Sequence, residues 1–180
     1  MENNNKSRGF TLLELMITLS IAIMLITIGL PSFTNLIRDS RMTANANDIL
    51  TALNYARSEA VTRNVQVTIL KQGGASKVWD GGWQIFTDLD RDGVLDLDDT
   101  LLKVHEAISA NYTLRTGGTF ANWVAYLPDG LSVGSGSSLG NDSFKLCDTS
   151  EDKASSRKIL VNRVGRARVE AGTVNSADCT

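Results

Sequence analysis

The sequence predicts an α+β chain in which one long N-terminal helix precedes a head built mostly of antiparallel β-sheet. Three observations predict it. An apolar run extends from Phe10 to Leu30, a second segment from Asn35 to about Thr62 carries one apolar stripe at helical spacing, and after Asn64 the pattern changes to period two. The composition, 42% hydrophobic and 21% charged over 180 residues, is that of an ordinary globular chain with room for one domain and an appendage. With a formal net charge of -2, no global field draws it to nucleic acid or to an anionic membrane, so any such binding must be local.

The first element sets the class. Met1 to Gly9 are polar and carry Lys6 and Arg8, whereas Phe10 to Leu30 hold a single charge, Glu14. At ~1.5 Å per residue the run is about 31 Å long, which matches a hydrocarbon core of roughly 30 Å. The basic flank assigns the N-terminus to the cytoplasm and everything after Pro31 to the far side. An ordinary secretory signal is cleaved after its apolar region at a small-residue site, and Ile28-Gly29-Leu30-Pro31 offers none. A carboxylate such as Glu14 inside the run costs up to about 3 kcal/mol even on the lenient insertion scale, which marks it as functional.

The stretch Arg8-Gly9-Phe10-Thr11-Leu12-Leu13-Glu14-Leu15 resembles the leader junction of type IV pilins and pseudopilins. The resemblance implies that residues 1–9 are a leader, that a prepilin peptidase cuts after Gly9, and that Phe10 becomes the N-methylated new terminus. Glu14 is then the fifth mature residue. Its carboxylate is implied to pair with the terminal amine of a neighbouring subunit, neutralising two charges inside a filament core. Residues 10–31 would be a transmembrane helix before assembly and part of the filament core after it.

Pro31 ends the apolar run, and residues 32–63 read as an amphipathic helix. Met42, Ala46, Ile49, Leu53, Ala56 and Ala60 fall at alternating steps of four and three along one stripe, with Arg38, Asp48, Arg57 and Glu59 off it. Pilins resemble this layout, with a kink near such a proline. The remainder, 64–180, reads as the β-rich head. Val65, Val67 and Ile69 alternate with polar neighbours, and further strands are expected at Trp83–Thr87, Thr100–Glu106, Tyr112–Arg115, Trp123–Leu127, Ser143–Asp148, Ile159–Val164 and Arg166–Glu170. Leu127-Pro128-Asp129-Gly130 supplies a turn through proline's fixed φ and glycine's free one. The stretch from Ser132 to Ser143 has the composition of a flexible linker.

Three further segments, Tyr55-Ala56-Arg57-Ser58-Glu59-Ala60, Gly82-Trp83-Gln84-Ile85-Phe86-Thr87-Asp88 and Gly165-Arg166-Ala167-Arg168, are similar in this order to the FimT, FimU and GspH group of minor pilins and pseudopilins. The resemblance implies the type IV pilin fold, other pilins as partners, and a single-pass inner-membrane protein with a periplasmic head that later joins a surface filament near its tip or at its start. The alternative within the group is a pseudopilin of type II secretion.

Cys147 and Cys179 are the only cysteines, too few for a metal site and suited to one disulfide in an oxidising compartment, with two free thiols as the alternative. Such a bridge would close a loop of about 33 residues, worth roughly 3 to 4 kcal/mol in the chain-entropy model.

Two segments carry candidate binding chemistry. Asp88, Asp90, Asp92, Asp96 and Asp99, with Gly93 after the third, fit positions 1, 3, 5, 9, 12 and 6 of a twelve-residue Ca²⁺ loop. Two readings stand: a calcium site whose last ligand is shorter than the usual glutamate, or an aspartate-rich hairpin turn. From Lys153 to Arg168 the basic residues Lys153, Arg157, Lys158, Arg163, Arg166 and Arg168 run without an acid. Arg166 and Arg168 on one strand face would stand about 6.6 Å apart, able to grip successive phosphates. Some FimT-like pilins are associated with DNA capture in natural transformation through a Gly-Arg-x-Arg motif, which Gly165 to Arg168 matches. Lys158, Arg163, Arg166 and Arg168 are therefore candidate DNA contacts. The plain alternative is a solvated face or a contact with a neighbouring subunit.

Gly136-Ser137-Ser138-Leu139-Gly140 matches the G-x-S-x-G nucleophile motif, but the only histidine, His105, precedes it and the segment lacks a strand-to-helix context. No enzyme and no required cofactor are expected. His105 reads as structural, and Trp79, Trp83 and Trp123 as packing residues.

Overall fold

The computed structural model describes residues 9–135, 140–149, 156–172, 174 and 179, and of 28–32 the backbone alone. Lys153, the leader residues before Gly9, and Gly136 to Leu139 of the serine motif lie outside the described residues.

The first element is α1, Leu12–Arg63, a single helix of 52 residues whose assignment continues through Pro31. Thr11 caps it: its Oγ1 accepts the N–H of Glu14 at 3.2 Å and its carbonyl that of Leu15 at 3.2 Å. Threonine followed three residues later by glutamate is a capping-box pattern, so Glu14 stands in the first turn where the helix dipole favours a negative charge. At the other end Asn64 adopts φ 57, the left-handed conformation that commonly closes a helix.

The chain divides into two compact units, residues up to Asp39 and residues from Ser40 on. In the first, the large apolar side chains described between Phe10 and Ile37 are exposed. Its hydroxyls are turned inward on the helix: Thr18 donates to Leu15 O at 2.9 Å, Ser20 to Met16 O at 2.8 Å, and Thr27 to Ile23 O at 3.0 Å and Met24 O at 2.9 Å. Such back-bonding gives the hydroxyl protons of Thr18, Ser20 and Thr27 an acceptor on the helix itself. Among the described residues no helix is long and apolar enough to cross a membrane, the described side chains of this run ending at Thr27.

In the second unit the apolar face of the rest of α1 packs on two antiparallel sheets. The first has the order β3-β2-β1-β5-β6, with β1 Gln66–Lys71, β2 Trp83–Asp88, β3 Leu101–His105, β5 Trp123–Tyr126 and β6 Ser132–Gly134. The second has the order β4-β7-β8-β9, with β4 Tyr112–Thr116, β7 Asp142–Asp148, β8 Arg157–Val161 and β9 Ala167–Ala171. The stripe Met42, Ala46, Ile49, Leu53, Ala56 and Ala60 is buried to 3% exposure or less. Ile49, Ala52 and Leu53 meet Ile69 and Trp83 of the first sheet and Leu114 and Phe144 of the second around one apolar pocket that Trp79 closes. Trp79 crosses Phe144 edge-to-face at 5.0 Å and donates its indole N–H to Phe120 O at 3.1 Å, so its one polar atom is satisfied in the core.

Two expectations need correction. The linker-like stretch after Leu131 contains a strand, β6, paired with β5 through Val124↔Gly134, Ala125↔Val133 and Tyr126↔Ser132. Apolar periodicity misses it because serine and glycine hold two of its three positions; the buried Ser132 is held by hydrogen bonds instead. The strand expected at Ile159–Val164 begins earlier, at Arg157, and stops at Val161, because Asn162 to Arg166 form the turn into β9. Cys147 on β7 and Cys179 are joined in a disulfide, Cα–Cα 5.8 Å, which ties the C-terminal segment to the second sheet.

Because Ala56 is fully buried on the helix face that packs on the sheets, Ala56→Leu should destabilise the chain by about 1–3 kcal/mol through overpacking, whereas Ser58→Leu on the exposed side should stay within about 0.5 kcal/mol. Chemical denaturation of both variants reads the difference.

Candidate functional site

The turn between β8 and β9 is fixed by its backbone. Gly165 takes φ 74 and donates to Asn162 O at 2.8 Å, Asn162 N–H donates to Arg166 O at 3.1 Å, and Asn162 Oδ1 accepts from Arg166 N–H at 2.8 Å. A Cβ at Gly165 would run into the carbonyl of Gly130 and the ring of Tyr126, so only glycine fits. Gly130 belongs to the neighbouring β5–β6 turn, and one side chain holds both turns. Arg57 of α1 donates from Nε to Gly130 O at 3.2 Å and from Nη2 to Val164 O at 3.0 Å. Ser132 adds a second tie, with its N–H on Arg163 O at 3.2 Å and its hydroxyl 2.8 Å from the carbonyls of both Asn162 and Gly140. Beneath the turn the Tyr126 hydroxyl is buried without a partner among the described residues. Burial pushes this phenol above its ordinary range, against the opposing pull of the Arg57 charge.

On this seat Arg163, Arg166 and Arg168 are exposed and Lys158 is half-buried. The register sets Arg168 opposite Leu160 and Glu170 opposite Lys158, so Lys158, Arg166, Arg168 and Glu170 share the outer face of the second sheet. Lys145 on β7 stands directly across from Lys158, and Arg115 on β4 directly across from Lys145, extending the cationic row over three strands. Arg115 is already neutralised, since its Nη1 reaches Asp80 Oδ1 at 2.6 Å and Oδ2 at 2.7 Å. Arg168 is engaged as well, with Nη2 at 3.0 Å from Glu170 Oε1, although its side chain is 70% exposed. An exposed pair of this kind is worth about 0–1 kcal/mol and exchanges readily. Sequence reasoning missed Glu170, which alternation two residues after Arg168 would have found, and Lys145, which only the pairing register shows.

The aspartate loop divides. One carboxylate oxygen each of Asp88, Asp90 and Asp92 lie within 4.8 Å of one another. Asp96 and Asp99 are not in that group of three, although with Leu89, Asp90 and Asp98 they line one pocket. Asp99 instead accepts Leu89 N–H at 3.0 Å and Asp96 N–H at 3.3 Å, and Asp96 accepts Asp98 N–H at 3.1 Å, so both close the loop on itself. Asp88 ends β2 and is fully buried; its Oδ2 accepts from Gln66 Nε2 at 2.8 Å, Thr68 Oγ1 at 2.5 Å and Gly93 N at 3.1 Å. Burial raises its carboxyl above the usual range, and these hydrogen bonds pull it back.

At the N-terminus Gly9, Phe10 and Glu14 are all exposed, and a Cβ at Gly9 would meet nothing within 4 Å. His105 stacks on Trp83 with ring centroids 4.0 Å apart and places Nε2 at 3.6 Å from Asp48 Oδ2, tying β3 to α1.

Arg57 supplies the connection between α1 and both turns, so Arg57→Met should keep the aliphatic packing, lose two charge-assisted hydrogen bonds of about 1.5–3 kcal/mol each at most, and speed amide exchange at Gly165. Hydrogen exchange followed by mass spectrometry on the β8–β9 peptide reads it.

The family described as Type II transport protein GspH matches residues 45–165, and the Prokaryotic N-terminal methylation motif matches residues 4–30. The sequence has no significant match among curated proteins. The fold is similar to crystal structures of the Pseudomonas aeruginosa type IV minor pilin FimU in two crystal forms. One has a TM-score of 0.62 at 20% identity, covering 78% of this chain and 96% of that one; the other has 0.59 at 20% identity, covering 77% and 99%. It is also similar to the minor pseudopilin EpsH of the Vibrio cholerae type 2 secretion system, with a TM-score of 0.55 at 10% identity, covering 74% of this chain and 99% of that one. With the methylation motif at its start, one helix packed on antiparallel sheets after it, and a family match over most of its length, the chain belongs to the GspH family of minor pilins and pseudopilins, structural subunits rather than enzymes.

Proposed function

We propose that this chain is a minor subunit of a type IV pilus and that its head holds DNA by the phosphates, without reading bases, during uptake for natural transformation. The observation that carries the reading is the β8–β9 turn: Arg163 and Arg166 are exposed on a backbone already fixed by Arg57 and Ser132, beside Lys158 and Arg168 on one face. Preorganised guanidinium groups suit phosphate because little backbone entropy is lost on contact and each fork matches two oxygens. Capture of this kind depends on released counterions and falls steeply with salt.

In this reading residues 10–31 hold the subunit in the inner membrane, a prepilin peptidase cuts after Gly9 and methylates Phe10, and Glu14 then pairs with the terminal amine of a neighbouring pilin. The likeness to FimU, a type IV minor pilin, supports the pilus assignment. A second reading, a pseudopilin of type II secretion, is favoured by the description of the matching family and by the likeness to EpsH. There the same arginines would meet a neighbouring subunit.

Fluorescence anisotropy with labelled duplex DNA and the full chain in detergent separates the two. Under the DNA reading the chain binds, and Arg163→Gln with Arg166→Gln lowers the slope of log affinity against log salt by about two. Absence of binding at low salt leaves the pseudopilin reading. Independently, Glu14→Gln should leave the melting of the head unchanged and reduce incorporation into filaments in cells; normal incorporation removes the charge-pairing account.

A further inference from the structure

We infer that the β2–β3 loop is a divalent-cation site of calcium type, built by Asp88, Asp90 and Asp92 and completed by water and backbone oxygens. It does not depend on the function proposed above.

The argument starts from the orphaned atom. Asp88 is 0% exposed, and its Oδ2 takes all three hydrogen bonds, from Gln66, Thr68 and Gly93. Its Oδ1 is buried and makes no hydrogen bond that meets ordinary geometry among the described residues, although the nearby Arg91 N–H also favours the charged carboxylate. A carboxylate oxygen out of water with nothing to accept from is costly, and such atoms are rare in folded proteins. Hydrogen bonds to Oδ2 fix the side chain, so Oδ1 is held in place rather than satisfied.

The second observation is what stands beside this carboxylate. One carboxylate oxygen each of Asp88, Asp90 and Asp92 lie within 4.8 Å of one another. Asp90 and Asp92 each use Oδ1 within the loop, accepting Asp92 N–H at 3.3 Å and Val94 N–H at 2.7 Å. Three carboxylates this close repel one another, and a cation between them reverses the sign of all three interactions. Lysine and arginine do not supply it: Arg91, between the acids, makes no ion pair with them among the described residues, whose pairs lie elsewhere.

Ligand chemistry selects the ion. Hard carboxylate oxygens on a turn, with no histidine or thiolate near, suit Ca²⁺, which takes about six to eight oxygens in flexible geometry, better than Zn²⁺. Three carboxylates account for part of that shell. The loop is also anchored where a ligand frame needs it: Gly93, at φ 77, packs so closely on the indole of Trp123 that a Cβ would collide with it, and its N–H holds Asp88. A full twelve-residue loop is not formed, because Asp96 and Asp99 are engaged with Asp98, Leu89 and each other, so affinity in the weak, extracellular range of about 10⁻⁴ to 10⁻³ M is expected.

Trp123 makes the site readable. The full chain in detergent, titrated with Tb³⁺ under tryptophan excitation, should show sensitised emission that saturates at one ion per chain and is displaced by Ca²⁺. Asp90→Asn with Asp92→Asn, both exposed, should weaken it at least about tenfold, while Asp96→Asn with Asp98→Asn leaves it intact. Ca²⁺ should also raise the melting temperature of the unaltered chain, and NaCl at equal ionic strength should not, a readout that stands even if a variant misfolds. Emission that is absent, or that survives Asp90→Asn with Asp92→Asn, or that disappears in Asp96→Asn with Asp98→Asn, overturns the site, as does an equal stabilisation by NaCl.

Discussion

One face of a single helix packs on both sheets of the head, and steric access to that face decides the rest. A helix face that meets two sheets must carry small residues where backbones approach and large ones where they diverge. The second half of α1 does this: Ala46, Ala52, Ala56 and Ala60 are buried among Met42, Ile49 and Leu53. The large side chains, each worth about 1.5–3 kcal/mol when buried, reach strands of both sheets and make one core of what would otherwise be two thin layers. The same packing brings Arg57, on the border of that stripe, beside two strand turns.

Electrostatics in the head are local, as the near-neutral total requires. On the second sheet, positive charge gathers on the outer face, and its two ends are treated differently: Arg115 is neutralised by Asp80, while the turn end keeps Arg163 and Arg166 exposed. On the first sheet, negative charge gathers in the β2–β3 loop, with one of its carboxylates carried into the interior. The two patches sit on different sheets and make different chemical demands.

Much of the architecture was legible because hydrophobic period is set by backbone geometry. The stripe of α1 followed from steps of four and three, and the strand from Gln66 to Lys71 from alternation around Val67 and Ile69. What was not legible rests on contacts between residues far apart in the chain. Arg57 reads as a solvated helix residue, yet its partners lie 73 and 107 positions away. β6 was hidden because Ser132 is held by hydroxyl hydrogen bonds rather than by apolar burial. For the aspartates, spacing gave the candidate loop but not which acids point together, since a backbone N–H can recruit a carboxylate as readily as an ion can; Asp99 went to Leu89 and Asp96. Thr11 caps the helix through the Glu14 N–H, a local role for this stretch that was not read from the sequence.

The clamp on the β8–β9 turn touches main-chain atoms only. Arg57 holds the carbonyls of Gly130 and Val164, and Ser132 those of Asn162 and Arg163, so the seat is blind to the side chains displayed above it. Gly165 must stay; positions 163, 164 and 166 face no such demand. Mutation can therefore recolour this tip from basic to neutral or acidic in single steps, leaving its shape intact, and one inherited scaffold can serve lineages whose filaments meet different surfaces.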